Sequence, residues 1–553
     1  MASRNPLSWF STRSTRQSQA IPGSGQVANS AGGFAWAVDD WSRLRRFLVL
    51  GVDGPSYYAS EQQLVRENAE AVLRCVALDG PRTVDEIVNV SVAGRNPKQQ
   101  PVVFALAACT AADDPETRAR ALAALPRVCR TGTQLFLFAG YVEQFRGWGR
   151  GLRRAVGAWY LDRDPDALAY QLVKYQQRDG WSHRDLLRLA KPRPERGSAT
   201  DLALAWAVGK AEGQLADATP ALLRAHRAAL AAASPEHSAE LVASAGLPWE
   251  ALRSEHLRSD VVWRALIPTM GVGALARNLA RLTTNGTLQP GNDATGEVIR
   301  RLTDAEQIRR ARLHPLAVLT ALMTYKAGRG MRGRQAWEPI AAIVDALDEA
   351  FPLAFGNIEA AGVRTMVALD VSGSMTMGAI GGVIGLSPRV ASAAMAAVTL
   401  ASEPAVDTVA FTSTGSGQWA SPNQSPSNGW SYGLSPLPLS KRQRLDDIMA
   451  TVNGLPFGGT DCALPMLYAL DKGKAIDHFV IYTDSETWAG PIHPAQALRR
   501  YRERTGIAAR LSVVGMVSNG FSIADPADAG MLDVVGFDSA APQLMADFAA
   551  GRL

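Results

Sequence analysis

Two rhythms of apolar and polar positions divide the chain near residue 360. From residue 31 to 360 apolar side chains recur at helical spacing and strand-like alternation is nearly absent. Helices are predicted from Glu61 to Ala77, Pro101 to Cys109, Glu116 to Val128, Asp201 to Val208, Thr219 to Ala232, Val262 to Leu282, Asp304 to Arg310 and His314 to Lys326. Breakers such as Asp79-Gly80-Pro81 and Pro290-Gly291-Asn292 separate them. Many antiparallel helix pairs without a fixed repeat predict an α-solenoid, a plain helical bundle being the alternative.

After residue 360 short, almost wholly apolar runs alternate with amphipathic ones. Predicted strands are Thr365 to Leu369, Asp407 to Phe411, His478 to Thr483, Arg510 to Val517 and Met531 to Gly536. Predicted helices are Pro388 to Ser402, Lys441 to Val452, Leu464 to Asp471, Pro494 to Arg504 and Ala541 to Ala550. Strand and helix alternation of this kind predicts a doubly wound α/β domain. Thr412 to Ser440, full of Ser, Gly, Asn and Pro, reads as a surface loop. Its Trp419 and Trp430 either anchor a partner or fold back on the sheet, and the second is the preferred reading.

A chain of 553 residues is long enough for more than one core. The expected domains are a flexible arm at 1–25, a helical domain at 26–360 and an α/β domain at 361–553. The arm is rich in Ser, Arg, Gly and Gln and lacks the apolar core of a secretory signal, although mitochondrial transit peptides share its Arg/Ser bias. No run of 18 uncharged apolar residues predicts a membrane span. Cys75, Cys109, Cys129 and Cys462 are scattered without metal-like spacing, which points to a reducing compartment and a cytoplasmic location.

Charge sharpens the division. Residues 361–553 carry 13 Lys and Arg against 16 Asp and Glu, whereas the rest carries 44 against 36. Between Arg127 and Arg196 the count is 14 basic to 7 acidic, so the front half is suited to a polyanion. Two segments concentrate it. Arg146, Arg150, Arg153 and Arg154 share one stripe if their segment is helical throughout, and guanidinium forks match phosphate oxygens. In the second, Lys174 and Arg178 precede Ser182, an N-cap with Asp185 three residues on, close to a capping box. Arg184, Arg188 and Lys191 then share a face; His183, near the helix start, reads as a structural hydrogen-bonder or, given its basic neighbours, as a candidate phosphate or base contact. A solvated basic surface is the plainer reading of both stripes.

The third candidate is the polar loop that ends the run Thr365 to Leu369. Asp370, Ser372 and Ser374 alternate along it. Thr460 follows a pair of glycines, and Asp484 ends the run starting at His478. In an open α/β sheet such segments meet beyond the carboxyl ends of the strands. An all-oxygen donor set suits one hard divalent cation, Mg²⁺ first, with Ca²⁺ or Mn²⁺ as alternatives.

Asp370-x-Ser372-x-Ser374, then Thr460, then Asp484, resembles the metal-ion-dependent adhesion site of von Willebrand factor A domains. The front half resembles the TROVE module shared by the Ro autoantigen, telomerase-associated and vault proteins. The residues that carry this are Arg46 to Gly54, Tyr57-Tyr58, Gly94-Arg-Asn-Pro-Lys98, Arg130-Thr-Gly-Thr133, Arg146-Gly-Trp-Gly-Arg150, Lys174 to His183 and Met270 to Leu279. Gly458 to Pro465 and Met531 to Asp538 fit the same family. From about Gln26 onward the chain looks like a member of the Ro family, with a longer Thr412 to Ser440 loop. The resemblance implies a ring of HEAT-like helical repeats closed by a doubly wound (Rossmann-like) von Willebrand factor A domain. It also implies Y-like RNA on the outer surface, single-stranded ends of misfolded RNA in a central hole, and a place beside an exoribonuclease in RNA decay and stress survival. Candidates for the hole are Arg95, Lys98, Arg130 and Thr133, with Arg277, Asn278 and Arg281 on one helix. Two other classes compete: a metal-dependent protein-interaction scaffold, and a metal-dependent nuclease. Neutral hydroxyls around one ion, with no second carboxylate cluster in the sequence, argue against the nuclease.

Overall fold

In the computed structural model the described residues are 14–51, 61–178, 180–210, 215–330, 336–356, 358–378, 380, 386–413, 419–420, 432–441, 443–455, 459–517 and 519–552. They form two compact units. One comprises Met1–Ala71 with Phe355–Leu553, the other Val72–Ala354. Tyr57, Tyr58, Gly458, Trp430 and most of Thr412 to Ser440 lie outside the described residues.

The α/β unit is built on a seven-stranded sheet. Its order is Met531–Val535, Arg510–Gly515, His478–Thr483, Arg364–Asp370, Ala405–Ser413, Tyr432–Pro436 and Trp419–Ala420. The first five strands run parallel, and the last two are antiparallel additions. Side chains alternate between the faces. Met366, Ala368, Phe479, Ile481, Leu511 and Val513 share one core with helices Leu464–Asp471 and Pro494–Thr505. Helix Pro388–Ser402 packs on the central strand, Arg364–Asp370, and on helix Leu445–Asn453. The latter helix starts four residues later than its sequence pattern suggests. Chain order reverses between Arg364–Asp370 and His478–Thr483, neighbours whose carboxyl ends lie side by side. Such a switch point is where open sheets of this kind hold ligands. Trp419 folds back: its indole N–H donates to Asp471 at 2.8 Å and its ring meets Tyr468 edge-on.

The amino-terminal residues join this unit, which corrects two expectations. The segment from residue 14 is no flexible arm, for Gln17 is fully buried among the sheet's loops. Strands Gln26–Ala28 and Phe34–Ala37 pair as a hairpin and extend onto Phe521–Ser522. Helix Asp40–Leu50 follows, and its buried Arg46 reaches both carboxylate oxygens of Asp533 at 2.8 Å and the carbonyls of Asn519 and Phe521. A guanidinium out of water needs such acceptors, since an unpaired buried charge is strongly destabilising. The boundary expected at residue 26 therefore does not separate the packing units.

In its first part the helical unit stacks alternate helices, and further on consecutive helices such as Pro235–Ala245 and Asp260–Leu266 pack on each other. Gly80–Ala93 packs on Pro115–Val128, Gln100–Cys109 on Gly132–Phe145, Pro115–Val128 on Arg150–Leu161, and Arg150–Leu161 on His183–Ala190. That pattern is the one expected of an α-solenoid. Side-chain caps start the helices at Asp79, Asp114, Thr131, Asp164, Ser182, Ser198, Ser234, Asn292 and Asp304. Each is worth about 1 kcal/mol. The helix expected from Val262 to Leu282 is two, Asp260–Leu266 and Val272–Thr284, divided at Pro268 and Gly271.

Candidate metal centre and nucleic-acid surface

Asp370 ends the central strand and Asp484 directly follows its neighbour, so parallel pairing brings the two carboxylates together. Asp370, Ser372, Ser374, Thr460 and Asp484 are all buried. Asp370 Oδ1 accepts the Ser372 amide at 2.9 Å, and Oδ2 accepts the Thr483 hydroxyl at 2.7 Å. The hydroxyls of Ser372 and Ser374 are 3.1 Å apart. The Thr460 carbonyl accepts the amides of Trp488 and Ala489 at 3.2 and 3.1 Å, which ties Thr460 to the chain that follows Asp484.

Buried carboxylates of like charge gather at this point. Burial pushes the Asp370 carboxyl up to about 7, with the Asp484 charge adding to it. Burial also raises Asp484. Glu486 is raised to about 7 by burial and by Asp484. Among the described residues, no Lys or Arg forms an ion pair with these three carboxylates. Arg389, which feels the Asp370 charge, is bound to the carbonyls of Val452 and Leu455. Among the described residues no three of His, Cys, Asp and Glu converge closely enough to hold a metal alone. A cation here would have to draw on the hydroxyls as well as the carboxylates, and an all-oxygen set of that kind fits a hard divalent cation. Sequence reasoning missed Glu486, although its position two residues after Asp484 was a usable signal. It also missed Gln17, for which the sequence holds no signal.

In the helical unit the basic residues separate into exposed and committed sets. Arg150, Arg153 and Arg154 are exposed on helix Arg150–Leu161, and Arg184 and Arg188 on the adjoining helix His183–Ala190. Lys191 is exposed at that helix's C-cap. Among the described residues none of these six makes an ion pair or side-chain hydrogen bond. Several exposed arginines elsewhere are paired: Arg120 with Glu116, Arg264 with Asp260, Arg300 with Glu297, and Arg309 and Arg310 with Glu306.

Several candidates are corrected. Helix Gly132–Phe145 ends before Arg146, whose backbone is extended, and the next helix starts at Arg150. Gly147 and Gly149 break the helix, so Arg146 leaves the stripe, and its guanidinium donates to the Thr110 carbonyl. His183 is buried, not a surface contact. Its Nδ1 accepts the Tyr160 hydroxyl at 2.9 Å, its Nε2 lies 3.3 Å from the Gln171 carbonyl, and Phe136, Trp159 and Tyr160 surround the ring. Burial lowers its pKa to about 4, so the ring is neutral. Gly132 makes room for it, since a Cβ there would lie 2.9 Å from His183 Nε2. Lys174 is half-buried, its ammonium 2.9 Å from the Tyr170 hydroxyl and near the rings of Tyr170 and Tyr175. Arg178 is exposed in the short strand Gln177–Arg178.

Of the second set, Arg277 and Arg281 are exposed four residues apart on helix Val272–Thr284, Arg281 lying over Trp263. Asn278 does not share their face: it is buried and donates to the Ala274 carbonyl of its own helix at 2.8 Å. Arg130 is spent on Ser91 and Arg127 acceptors at 3.0–3.1 Å. Thr133, Arg95 and Lys98 are half-buried, the Arg95 carbonyl facing His314 Nε2 at 3.0 Å.

Comparison with known proteins fits both units. The family model described as the Ro60 vWA domain matches residues 364–549, and the TROVE domain model matches 27–229 and 244–324. The chain belongs to the Ro family. A relative from Deinococcus radiodurans, named RNA-binding protein RO60, is 42% identical over 531 residues, covering 96% of each chain. A Caenorhabditis elegans protein of the same name is 35% identical, over 96% of this chain and 91% of that one. A crystal structure of the Deinococcus radiodurans RO (RSR) protein matches with a TM-score of 0.68 and 41% identity, over 93% of this chain and 100% of that chain. In this Ro-family chain the TROVE match starts at residue 27, inside the segment that packs with the α/β unit.

Proposed function

We propose that this protein binds RNA without acting as an enzyme. The observation that carries the reading is the clustering of six exposed cations on two packed helices, none of them in an ion pair or side-chain hydrogen bond among the described residues. Unpaired guanidinium and ammonium groups on one surface favour a phosphate backbone. Both relatives are named as RNA-binding proteins, which supports the same reading. The ligand is a small structured RNA of the Y type, held at Arg150, Arg153, Arg154, Arg184, Arg188 and Lys191. Single-stranded RNA ends are taken at Arg277 and Arg281. The protein acts in the cytoplasm in non-coding RNA quality control and stress survival, handing RNA to an exoribonuclease. One divalent cation, Mg²⁺ in the first instance, is bound by Asp370, Ser372, Ser374, Thr460 and Asp484, and would organise the loops at the switch point. Among the described residues no helix is long and apolar enough to cross a membrane.

The test is a competition assay with a small structured RNA over a salt series. Changing all six cations to Gln should weaken binding and flatten the log–log salt slope by about 0.7–0.9 for each phosphate no longer neutralised. Equal affinity and equal slope in the variant and the parent would remove this surface from the binding site.

A further inference from the structure

The loops that carry the candidate metal ligands are held from outside the sheet by the amino-terminal segment. Gln17 sits at the centre of that contact. Its Nε2 donates to Asp461 Oδ1 at 2.7 Å and to the Ile492 carbonyl at 2.8 Å, and its Oε1 accepts the Thr487 hydroxyl. Its amide donates to the Gly490 carbonyl at 2.9 Å, and its carbonyl accepts from Phe34 at 2.8 Å. Every polar group of one fully buried side chain is therefore committed. Asp461 is the residue after Thr460, and Thr487 is three after Asp484, so Gln17 ties the two loops together.

Further contacts run alongside. Asn29 donates to the Thr487 carbonyl at 2.8 Å, and the amides of Ser30 and Ala31 donate to Glu486 at 2.9 and 3.2 Å. His493 Nε2 donates to the Gln19 carbonyl while Nδ1 accepts from Gln26. The fit is close enough to dictate a residue type. A Cβ on Gly490 would lie 2.4 Å from both Asp461 Oδ1 and Gln17 Nε2. None of these groups belongs to the proposed ligand set. They fix the backbone from which the ligands project, and groups that orient ligands in this way typically govern metal affinity by about 10–100-fold.

We propose that residues 15–33 form a clasp that sets the affinity of the α/β unit for its divalent cation, with Gln17 as the positioning residue. This rests on the metal reading above. Linkage makes the coupling reciprocal: a cation that prefers the clasped loops tightens the clasp by the same factor.

The experiment is calorimetric titration of the full chain with Mg²⁺ alone. Gln17→Ala and Gly490→Ala should each weaken Mg²⁺ binding by about 10–100-fold. Leu511→Ala, a core change at the amino end of its strand, should lower thermal stability and leave Mg²⁺ affinity within about twofold. Independently of any variant, hydrogen exchange of the parent should show that Mg²⁺ slows the amides of Gln17, Ser30, Ala31 and Phe34. A parent that binds no Mg²⁺ overturns the metal reading and the clasp with it. A parent that binds, with unchanged affinity in Gln17→Ala or unchanged exchange in residues 15–33, overturns the clasp and spares the metal reading. Loss of affinity in all three variants in proportion to lost stability also overturns it.

Discussion

His183 shows what a residue's neighbours in sequence leave open. The sequence pattern supplied the cap at Ser182 and the reciprocal bond to Asp185, both present in the structure. It did not reveal which way the first helical side chain turns. Basic neighbours favoured the surface, while packing placed the ring among Phe136, Trp159 and Tyr160. Asn278 went the same way, because one residue along a helix rotates a side chain by about 100° and a shared face needs the right offset. Burial of His183 has a pH consequence. Its folded pKa lies near 4, below the ordinary 6.5. Between those values the unfolded chain binds a proton that the folded chain does not. The stabilising contribution is thus complete above about pH 6.5 and falls with pH, by up to about 1.4 kcal/mol per pH unit, until about pH 4. His478, lowered by burial to about 3, acts in the same direction. The raised carboxyls of Asp370 and Glu486 act the other way over the same range, so the test is the difference: from pH 7 to pH 5 the melting temperature of the parent should fall relative to that of His183→Gln. A profile of equal steepness in the variant would show that the ring does not titrate as its burial requires. Any loss of RNA binding in His183→Ala should come with a loss of stability, since the ring reaches RNA only through the helix that it seats.

Helices and strands were the most legible features where periodicity was long and uninterrupted. Pro388–Ser402, Leu464–Asp471, His478–Thr483 and Ala541–Ala550 coincide with the sequence reading. The misreadings share a cause, in that one or two backbone residues outweighed a continuing apolar pattern. Gly147 and Gly149 ended the first arginine stripe, and Pro268 with Gly271 divided the helix expected from Val262 to Leu282. The five candidate oxygen donors stood out in the sequence because Asp370, Ser372, Ser374 and Asp484 end or closely follow apolar runs and Thr460 follows a glycine pair. What holds their loops was not, because the clasp is some 440 residues away in sequence from Asp461. The short helix His183–Ala190 depends on its start. Ser182→Ala removes the cap and should cost about 1 kcal/mol. Because Arg184 lies in the first turn and Arg188 and Lys191 at the other end, fraying should weaken RNA binding less than removal of the charges themselves. Measuring stability and RNA affinity on the same variant checks both statements. A Ser182→Ala protein with full stability would show that the cap contributes nothing in this context.

At the scale of the whole chain, two compact units carry two different chemistries. The proposed ligands for a cation lie in the one that combines residues 355–553 with the first 71, and the six exposed cations lie in the other. A chain built this way does not unfold as one cooperative body by default. Mg²⁺ stabilises whatever folded unit binds it by about 2.7 kcal/mol at a free concentration 100 times Kd. RNA acts by the same mass-action rule on the unit that carries its contacts. Scanning calorimetry of the full chain should accordingly resolve two transitions. Added Mg²⁺ should raise the midpoint of one, and a bound structured RNA should raise the other. Asp370→Ala should abolish the Mg²⁺ shift while the RNA shift persists, because the carboxylate removed belongs to the cation site alone. Replacing the six cations by Gln should do the reverse. A single transition that Mg²⁺ and RNA both raise, and that either set of substitutions uncouples from both, would show that the two sites answer to one folding equilibrium and that the division into units is not energetic.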